Sequence, residues 1–208
     1  MKKKYDQYEQ FDQTEADAKA NETKKKALRL AAKYLQTRGV NGFSFQDIAD
    51  DLAIKKASLH YYFASKDELL AELLQNYLSA FHQWTLRFKN RTARQKLRAV
   101  VRLFADLAGK DHRICPGGAL AADFQSLSSA NKSNFQSLHH AQREWLTATI
   151  NQGIQENSIR KVISPAETTD TFMSVIQGAL QIARLRSDSG LAGKIMMDYL
   201  AGLLKSVP

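Results

Sequence analysis

The sequence predicts an all-α protein, and three observations carry this prediction. Apolar residues recur at helical spacing in nearly every segment, as at Leu28, Ala31, Ala32 and Leu35. The sequence contains no alternating runs of Val, Ile and Thr, which are typical of strands. Only three Pro interrupt the 208 residues, and capping signals precede several of the periodic segments. About nine helices with short connections are expected, which indicates a helical bundle.

The first five predicted helices follow from local start and stop signals. The first ends at Gly39, a residue type that commonly terminates helices. The second begins at Ser44, whose side chain forms a capping box with Asp47. A tight turn over 52–54 separates it from a third helix over about 55–63. A long fourth helix begins at Ser65, and a fifth covers 97–108.

The remaining helices are separated by Pro and Gly. The sequence Pro116-Gly117-Gly118 predicts a break before a helix over 119–129, and a further helix covers about 134–156. Ser164 and Pro165 form an N-cap and a first-turn proline, so a helix begins there. The segments 166–186 and 191–206 carry small residues that permit close helix approach, within one chain or against a second copy. These are Gly178, Ala179, Ala183, Gly193, Ala201 and Gly202.

The charge of the chain is unevenly distributed. The formal net charge is +9, yet residues 1–18 carry three Lys against five acidic residues. Residues 19–66 carry ten Lys or Arg against four acidic residues. Such an excess suits either a polyanion such as DNA or a solvated surface. Residues 1–18 are expected to form an N-terminal tail that extends the first helix or stays disordered.

Several classes of protein are excluded. No apolar run approaches the roughly 20 residues that cross a bilayer, and an acidic stretch occupies the place of a signal peptide, so we expect a cytoplasmic protein without a membrane partner. There is no phosphate-binding Gly loop, and the single Cys lacks an evident base, so neither catalysis nor a cofactor is expected. His140 and Glu144 share a helix face, but two ligands are too few to predict a metal site.

Residues 44–63 predict a helix-turn-helix, because two short helices flank a very tight turn. At 100° per residue, the second helix gathers Leu59, Tyr62 and Phe63 on one side, where we expect packing. The opposite side offers hydrogen bonds to base edges and phosphates and a methyl contact to thymine. It carries Lys56, Ala57, His60 and Tyr61, with Lys55 and Lys66 flanking the helix as phosphate contacts.

Residues 27–74 resemble the DNA-binding domain of TetR-family transcriptional regulators. The resemblance is carried by the Gly39 turn, Asp47-Ile48-Ala49, Leu59, Tyr62-Phe63 and Ser65-Lys66, all in register. It implies a three-helix DNA-binding domain over 19–66 and a ligand-binding and dimerisation bundle over 67–208. The function implied is that of a homodimeric repressor, bound to a palindromic operator in double-stranded DNA and released by a small-molecule inducer.

The resemblance also implies which residues contact bases or phosphates. They are Ser44, Gln46, Lys55, Lys56, Ala57, Ser58, His60, Tyr61 and Lys66. The sequence departs from the family pattern at Ala53, where the family usually has Gly, so the turn must avoid positive φ or accept its cost. Lys55 replaces the usual small capping residue, and His60 replaces a common Tyr.

The same resemblance implies a ligand pocket between the C-terminal helices. Its seven candidate lining residues are Trp84, Phe104, Cys115, Phe124, Trp145, Phe172 and Ile176. Cys115 lies at an expected helix start near Arg113, and both features lower a thiol pKa, so it is a candidate sensor of oxidants or electrophiles. The alternative is that Cys115 is a small buried hydrophobe.

The sequence also allows a function of a different class from that of a DNA-binding regulator. The chain is alternatively a helical ligand-binding protein or enzyme that uses its bundle cavity and does not bind DNA specifically. Specific, salt-sensitive binding to DNA discriminates the two hypotheses, because phosphate contacts release counterions.

Overall fold

The fold is all-α, as predicted. The computed structural model describes residues 6–109, 113–160, 162 and 164–205, with side chains from residue 21 onward. Among these residues the only β pairing is an isolated bridge between Ile159 and Leu204. The helices are α1 (Asp6–Arg38), α2 (Phe45–Asp51), α3 (Lys56–Tyr62), α4 (Lys66–Leu86), α5 (Ala93–Ala108), α6 (Pro116–Ala122), α7 (Ser129–Gln155), α8 (Pro165–Leu185) and α9 (Ser189–Leu203).

The predicted helix starts at Ser44, Ser65 and Ser164 are confirmed. Each of these side chains accepts a hydrogen bond from the backbone N–H three residues later, which satisfies one of the unpaired donors of the first turn. Gly39 ends α1 with φ of +81°, a conformation that glycine adopts without steric cost. Helix α1 begins at Asp6, so residues 6–18 of the expected tail extend the first helix. Residues 1–5 lie outside the described part.

Two predicted boundaries are wrong. The helix expected over 119–129 is instead α6, which begins at Pro116 because proline suits the first helical position. A 3-10 turn over Phe124–Ser126 follows it. Helix α7 begins at Ser129 and not near 134, because the Ser128 side chain caps it by accepting from the backbone N–H of Asn131.

Two hydrophobic clusters form the interior. The first joins α1–α4 with α6 and the N-terminal half of α7, and the second joins α5, α8 and α9 with the C-terminal half of α7. Trp84 near the end of α4 packs against the second cluster, so this helix reaches from one cluster to the other. No helix of the described residues is long and apolar enough to cross a membrane.

Candidate nucleic-acid interface and ligand cavity

The turn between α2 and α3 is built on a residue with positive φ. Ala53 has φ of +52°, so the chain accepts the left-handed conformation there and does not avoid it. The N–H of Ile54 donates to the carbonyl of Ala49 at 3.0 Å and closes the turn. A left-handed non-glycine residue costs roughly 1–2 kcal/mol, which the surrounding packing must offset.

Helix α3 has one buried side and one exposed side, as its periodicity predicts. Leu59 and Phe63 are buried, whereas the Tyr61 side chain is 82% exposed. Lys55 precedes α3 without a side-chain cap, as the departure from the family pattern implies. The other predicted contact residues of this segment are all exposed in the described chain: Lys55, Lys56, Ala57, Ser58 and His60.

The His60 ring is oriented by two contacts. It lies 5.1 Å from the Phe45 ring, between centroids, and its Nδ1 is 3.2 Å from the Ala64 carbonyl oxygen. A neutral ring that donates from Nδ1 leaves Nε2 as an acceptor directed away from that bond. In α2, Gln46 is exposed and its amide donates to Asp50 at 2.7 Å. Ser44 is exposed too, although its hydroxyl is engaged with Asp47 at 2.6 Å.

Helix α1 fixes the position of α2 through polar contacts. The Tyr34 hydroxyl donates to Asp51 at 2.5 Å, and this bond raises the pKa of Tyr34 above its ordinary value. Arg38 lies 3.5 Å from the Asp47 carboxylate and 4.1 Å from the centre of the Tyr34 ring. Hydrogen bonds from Ser44, more than the charge of Arg38, lower the pKa of Asp47.

Lys66 has a structural engagement that the sequence did not indicate. Its Nζ donates to the carbonyls of Val40 and Phe43, both at 2.5 Å, and lies 4.2 Å from the centre of the Phe43 ring. Desolvation lowers the pKa of Lys66, although Asp123 and Asp47 act in the opposite direction. Lys66 therefore ties the α1–α2 turn to the start of α4.

A cavity lies between α4, α5, α7, α8 and the start of α6. It has two compartments, of about 410 Å³ and about 60 Å³. Six residues line both, so the compartments adjoin: Phe81, Trp84, Leu103, Phe104, Cys115 and Gln142. The larger compartment reaches the surface beside the exposed residues Ala80 and Asp106. Its size falls in the usual range of small-molecule sites.

Five of the seven predicted pocket residues line this cavity: Trp84, Phe104, Cys115, Trp145 and Ile176. Phe124 and Phe172 do not. Phe172 is fully buried and stacks on Tyr199, and Phe124 packs on the first hydrophobic cluster. Tyr77 and Phe81 also line the cavity and were not among the residues predicted from the sequence. Their common stripe with Trp84 on α4 was the signal that could have found them.

Cys115 does not have the environment of a reactive thiol. It is 5% exposed, and burial raises the pKa of its thiol, the opposite of the expected direction. The Gln177 side chain and the N–H groups of Gly117 and Gly118 offset this only in part. Since the thiolate is the reactive form, the expectation of a lowered pKa is wrong, and a buried hydrophobe is the better interpretation.

His140 and Glu144 form an exposed pair, with Nε2 and Oε1 3.2 Å apart. Within the described residues no group of three or more His, Cys, Asp or Glu is arranged to hold a metal ion. Both side chains are more than half exposed, so the pair belongs to a solvated face of α7.

Helices α8 and α9 present an exposed apolar face. Leu185 is 80% exposed, and Ile182 and Met197 are each more than one-third exposed. Among the described residues, no heavy atom outside the local helix backbone and the adjacent residues lies within 4 Å of a Cβ added at Gly178 or Gly202. Small and apolar residues without intrachain neighbours are typical of a surface that receives another helix.

The tight two-helix turn and the half-buried recognition helix define the helix-turn-helix class of DNA-binding proteins. Comparison with known families is more specific. Residues 27–73 match the family model described as "Bacterial regulatory proteins, tetR family". Residues 93–197 match the model described as "Tetracyclin repressor-like, C-terminal domain". The chain belongs to the TetR family of transcriptional regulators, which confirms the resemblance and the prediction that it is not an enzyme.

The chain is also similar to proteins named as transcriptional repressors. It is 28% identical over 141 residues to the HTH-type transcriptional repressor KstR2 of Mycobacterium tuberculosis, covering 67% of this chain and 70% of that protein. KstR2 of Mycolicibacterium smegmatis is 27% identical over 138 residues, covering 64% of this chain and 65% of that protein.

Solved structures show the same fold. A TetR-family regulator from Agrobacterium tumefaciens has a TM-score of 0.84 at 22% identity, covering 89% of this chain and 100% of that one. A TetR regulator from Legionella pneumophila has a TM-score of 0.76 at 25% identity, covering 86% and 95%. The ketosteroid regulator KstR2 of Mycobacterium tuberculosis has a TM-score of 0.67 at 23% identity, covering 88% and 95%.

Proposed function

We propose that this TetR-family regulator is a repressor that binds a palindromic operator as a homodimer and is released by a small molecule in the cavity. The observation that carries the proposal is the division of α3, with Leu59 and Phe63 buried while Lys56 and Tyr61 are exposed. A helix anchored in this way can lie in a major groove with its free side toward the bases. The repressors among its relatives favour repression over activation.

The DNA contacts of the proposal come from α2, the turn and α3. Lys55 and Lys56 contact phosphates, and His60 and Tyr61 contact base edges. Ser44, Gln46, Ala57 and Ser58 complete the surface. Lys66 is left out as a primary contact because two carbonyls already engage its ammonium. The protein acts where the chromosome lies, in the cytoplasm.

The dimer of the proposal forms through the exposed face of α8 and α9. One short recognition helix reads too few base pairs for operator specificity, whereas two related by a two-fold axis read half-sites roughly 34 Å apart. The apolar exposure of Leu185 and Ile182 supports this face as the contact between two copies.

Release follows from binding linkage. A ligand in the cavity frees the operator only if it binds better to the conformation that does not fit DNA, and a coupling of about 1–3 kcal/mol is typical. The proposal does not include a thiol-reactive inducer, because Cys115 is buried with a raised thiol pKa.

The test is DNA binding by fluorescence anisotropy, with the fragment upstream of the regulator's own gene and unlabelled competitor DNA. We expect specific binding that weakens steeply with salt, and a nuclease-protection footprint on the same fragment should have two-fold symmetry. Tyr61→Ala should abolish discrimination against competitor, while Lys89→Ala, an exposed Lys beyond α4, is the matched control. A footprint without two-fold symmetry, or specific binding unaffected by Tyr61→Ala, contradicts the proposal.

A further inference from the structure

We propose that the inducer is an uncharged, largely apolar molecule with a carbonyl, ether or hydroxyl oxygen that accepts a hydrogen bond from the Tyr77 hydroxyl. The inference rests on the proposed ligand-controlled function, and it adds the chemical class of the ligand. Three features of the cavity carry it: an unpartnered hydroxyl, a wall of aromatic rings, and the charge of the lining residues.

The first feature is the hydroxyl of Tyr77, a residue that lines the cavity. Tyr77 lines the larger compartment, and its Oη is buried with no hydrogen-bond partner among the described residues. A buried polar group left unpaired costs about 1–3 kcal/mol, so a ligand that supplies an acceptor recovers part of that cost once a small shift of the Tyr77 side chain opens its hydroxyl to the compartment. Burial raises the pKa of Tyr77, with a smaller opposing effect from Arg113, so the hydroxyl remains a donor at neutral pH.

The aromatic wall favours an apolar ligand over a cationic one. The Trp84 and Trp145 rings are 5.3 Å apart between centroids and meet edge to face, and Phe81 lies 6.2 Å from Trp145 in the same manner. Rings in mutual contact form a continuous surface. A cation would instead need open ring faces around it, and usually a nearby carboxylate.

Few charged side chains line the two compartments. Among the described residues that line the two compartments, the only carboxylate is Asp106 and there is no Lys, Arg or His. Asp106 is exposed at the mouth. The remaining polar lining is uncharged at neutral pH and includes the amides of Gln142 and Gln177. An anion moved from water into the two compartments would lose hydration without gaining a counter-ion from the described lining, and a cation would find only Asp106, at the mouth.

The test compares three probes with one skeleton: 2-decalone, decahydro-2-naphthoate and 2-aminodecalin, which are neutral, anionic and cationic at pH 7. Both tryptophans of the chain, Trp84 and Trp145, line the cavity, so intrinsic fluorescence reports binding directly. We expect the ketone to give a saturable change and to bind at least tenfold more tightly than either charged probe. Equal or tighter binding of a charged probe, or no binding of the ketone, overturns the inference.

The Tyr77 contact is tested with Tyr77→Phe. The substitution should weaken binding of 2-decalone about 5- to 10-fold, the loss of one hydrogen bond. Because the hydroxyl has no partner in the described chain, it should leave the melting temperature unchanged or higher. Tyr62→Phe, which alters a tyrosine outside the cavity lining, is the matched control. Unchanged affinity, or a lowered melting temperature, overturns the assignment to Tyr77.

Operator binding measured on the same samples separates the two proposals. If the ketone binds but the operator is not released, the ligand chemistry stands and the proposed regulation fails. If the operator is bound specifically but the ketone has no advantage over the charged probes, the regulator stands and the ligand class is wrong.

Discussion

The carboxylate of Asp123 accepts a hydrogen bond from the backbone N–H of Val40 at 2.8 Å, although the two residues are 83 positions apart. The other carboxylate oxygen accepts from the Asn41 side chain at 3.1 Å. Asp123 directly follows α6, whose first residues line the cavity. The α1–α2 turn is thus held by Asp123 from the side of the cavity and by Lys66 from the side of α4.

Asp123→Ala should lower the free energy of unfolding by about 1–3 kcal/mol, because it leaves the Val40 N–H without an acceptor. Urea denaturation of the full chain measures this loss. Asp106→Ala, which removes an exposed carboxylate, is the control and should show no comparable loss. Equal stability of the two variants would mean that water replaces the Asp123 contact.

Ala53→Gly should raise the free energy of unfolding by about 0.5–1 kcal/mol, because glycine adopts the observed φ of +52° without steric cost. The matched control is Ala57→Gly in the first turn of α3, where the backbone is helical. That substitution should lower stability by up to about 1 kcal/mol. Changes of the same sign in the two variants would rule out strain at Ala53.

Ser44→Ala should lower the free energy of unfolding by roughly 0.5–2 kcal/mol, the usual value of an N-cap. Thermal unfolding in the absence of DNA measures this effect apart from any role of Ser44 in the interface. Thr92→Ala, which removes the capping box of α5, provides a comparison outside the DNA-binding helices. A Ser44→Ala variant as stable as the wild type would show that water caps α2 equally well.

Lowering the pH should weaken the capping box that Ser44 and Asp47 form at the start of α2. The pKa of Asp47 in the folded protein lies below its ordinary value of 3.8, so its stabilising contribution is complete above that value. The contribution is lost as the pH falls through the lower, folded-state pKa. In Ser44→Ala the main cause of the shift is absent, and the dependence of stability on pH between 5 and 2 should be shallower. Identical pH profiles would contradict this origin of the shift.

Leu185→Glu should convert the proposed dimer into a monomer of 23.4 kDa, because it places a charge in the exposed apolar face of α8. Sedimentation velocity measures the change, and circular dichroism should show an unchanged helix content. Leu86→Glu alters another exposed leucine, on α4, and should leave the dimer intact. Dissociation by Leu86→Glu but not by Leu185→Glu would place the interface elsewhere.

Lys56→Ala should change DNA binding, whereas Lys66→Ala should change stability. Loss of the exposed Lys56 should reduce the salt dependence of operator binding by about one counterion for each subunit and leave stability unchanged. Loss of Lys66 should lower the free energy of unfolding by about 1–3 kcal/mol, because two carbonyls lose their donor. Stability and salt titrations of both variants check this assignment.

The sequence predicted the parts of the molecule that depend on local pattern. The 3.6-residue period separated buried Leu59 from exposed Tyr61, and the Ser44 capping signal located α2. The engagement of Lys66 was not predictable, because its partners lie 26 and 23 positions away and no local pattern marks a carbonyl as an acceptor. The same limit applies to Phe172, since a buried aromatic has one sequence signature whether it faces a cavity or the interior.

The four buried leucines in the first half of α4, Leu69, Leu70, Leu73 and Leu74, belong to the same hydrophobic cluster as Leu59 and Phe63. A fragment that stopped at residue 66 would expose the recognition helix's anchors to water and is not expected to fold. Chimeric regulators that exchange operator specificity with another family member should therefore carry α4 along with the first three helices, and make the junction beyond residue 74.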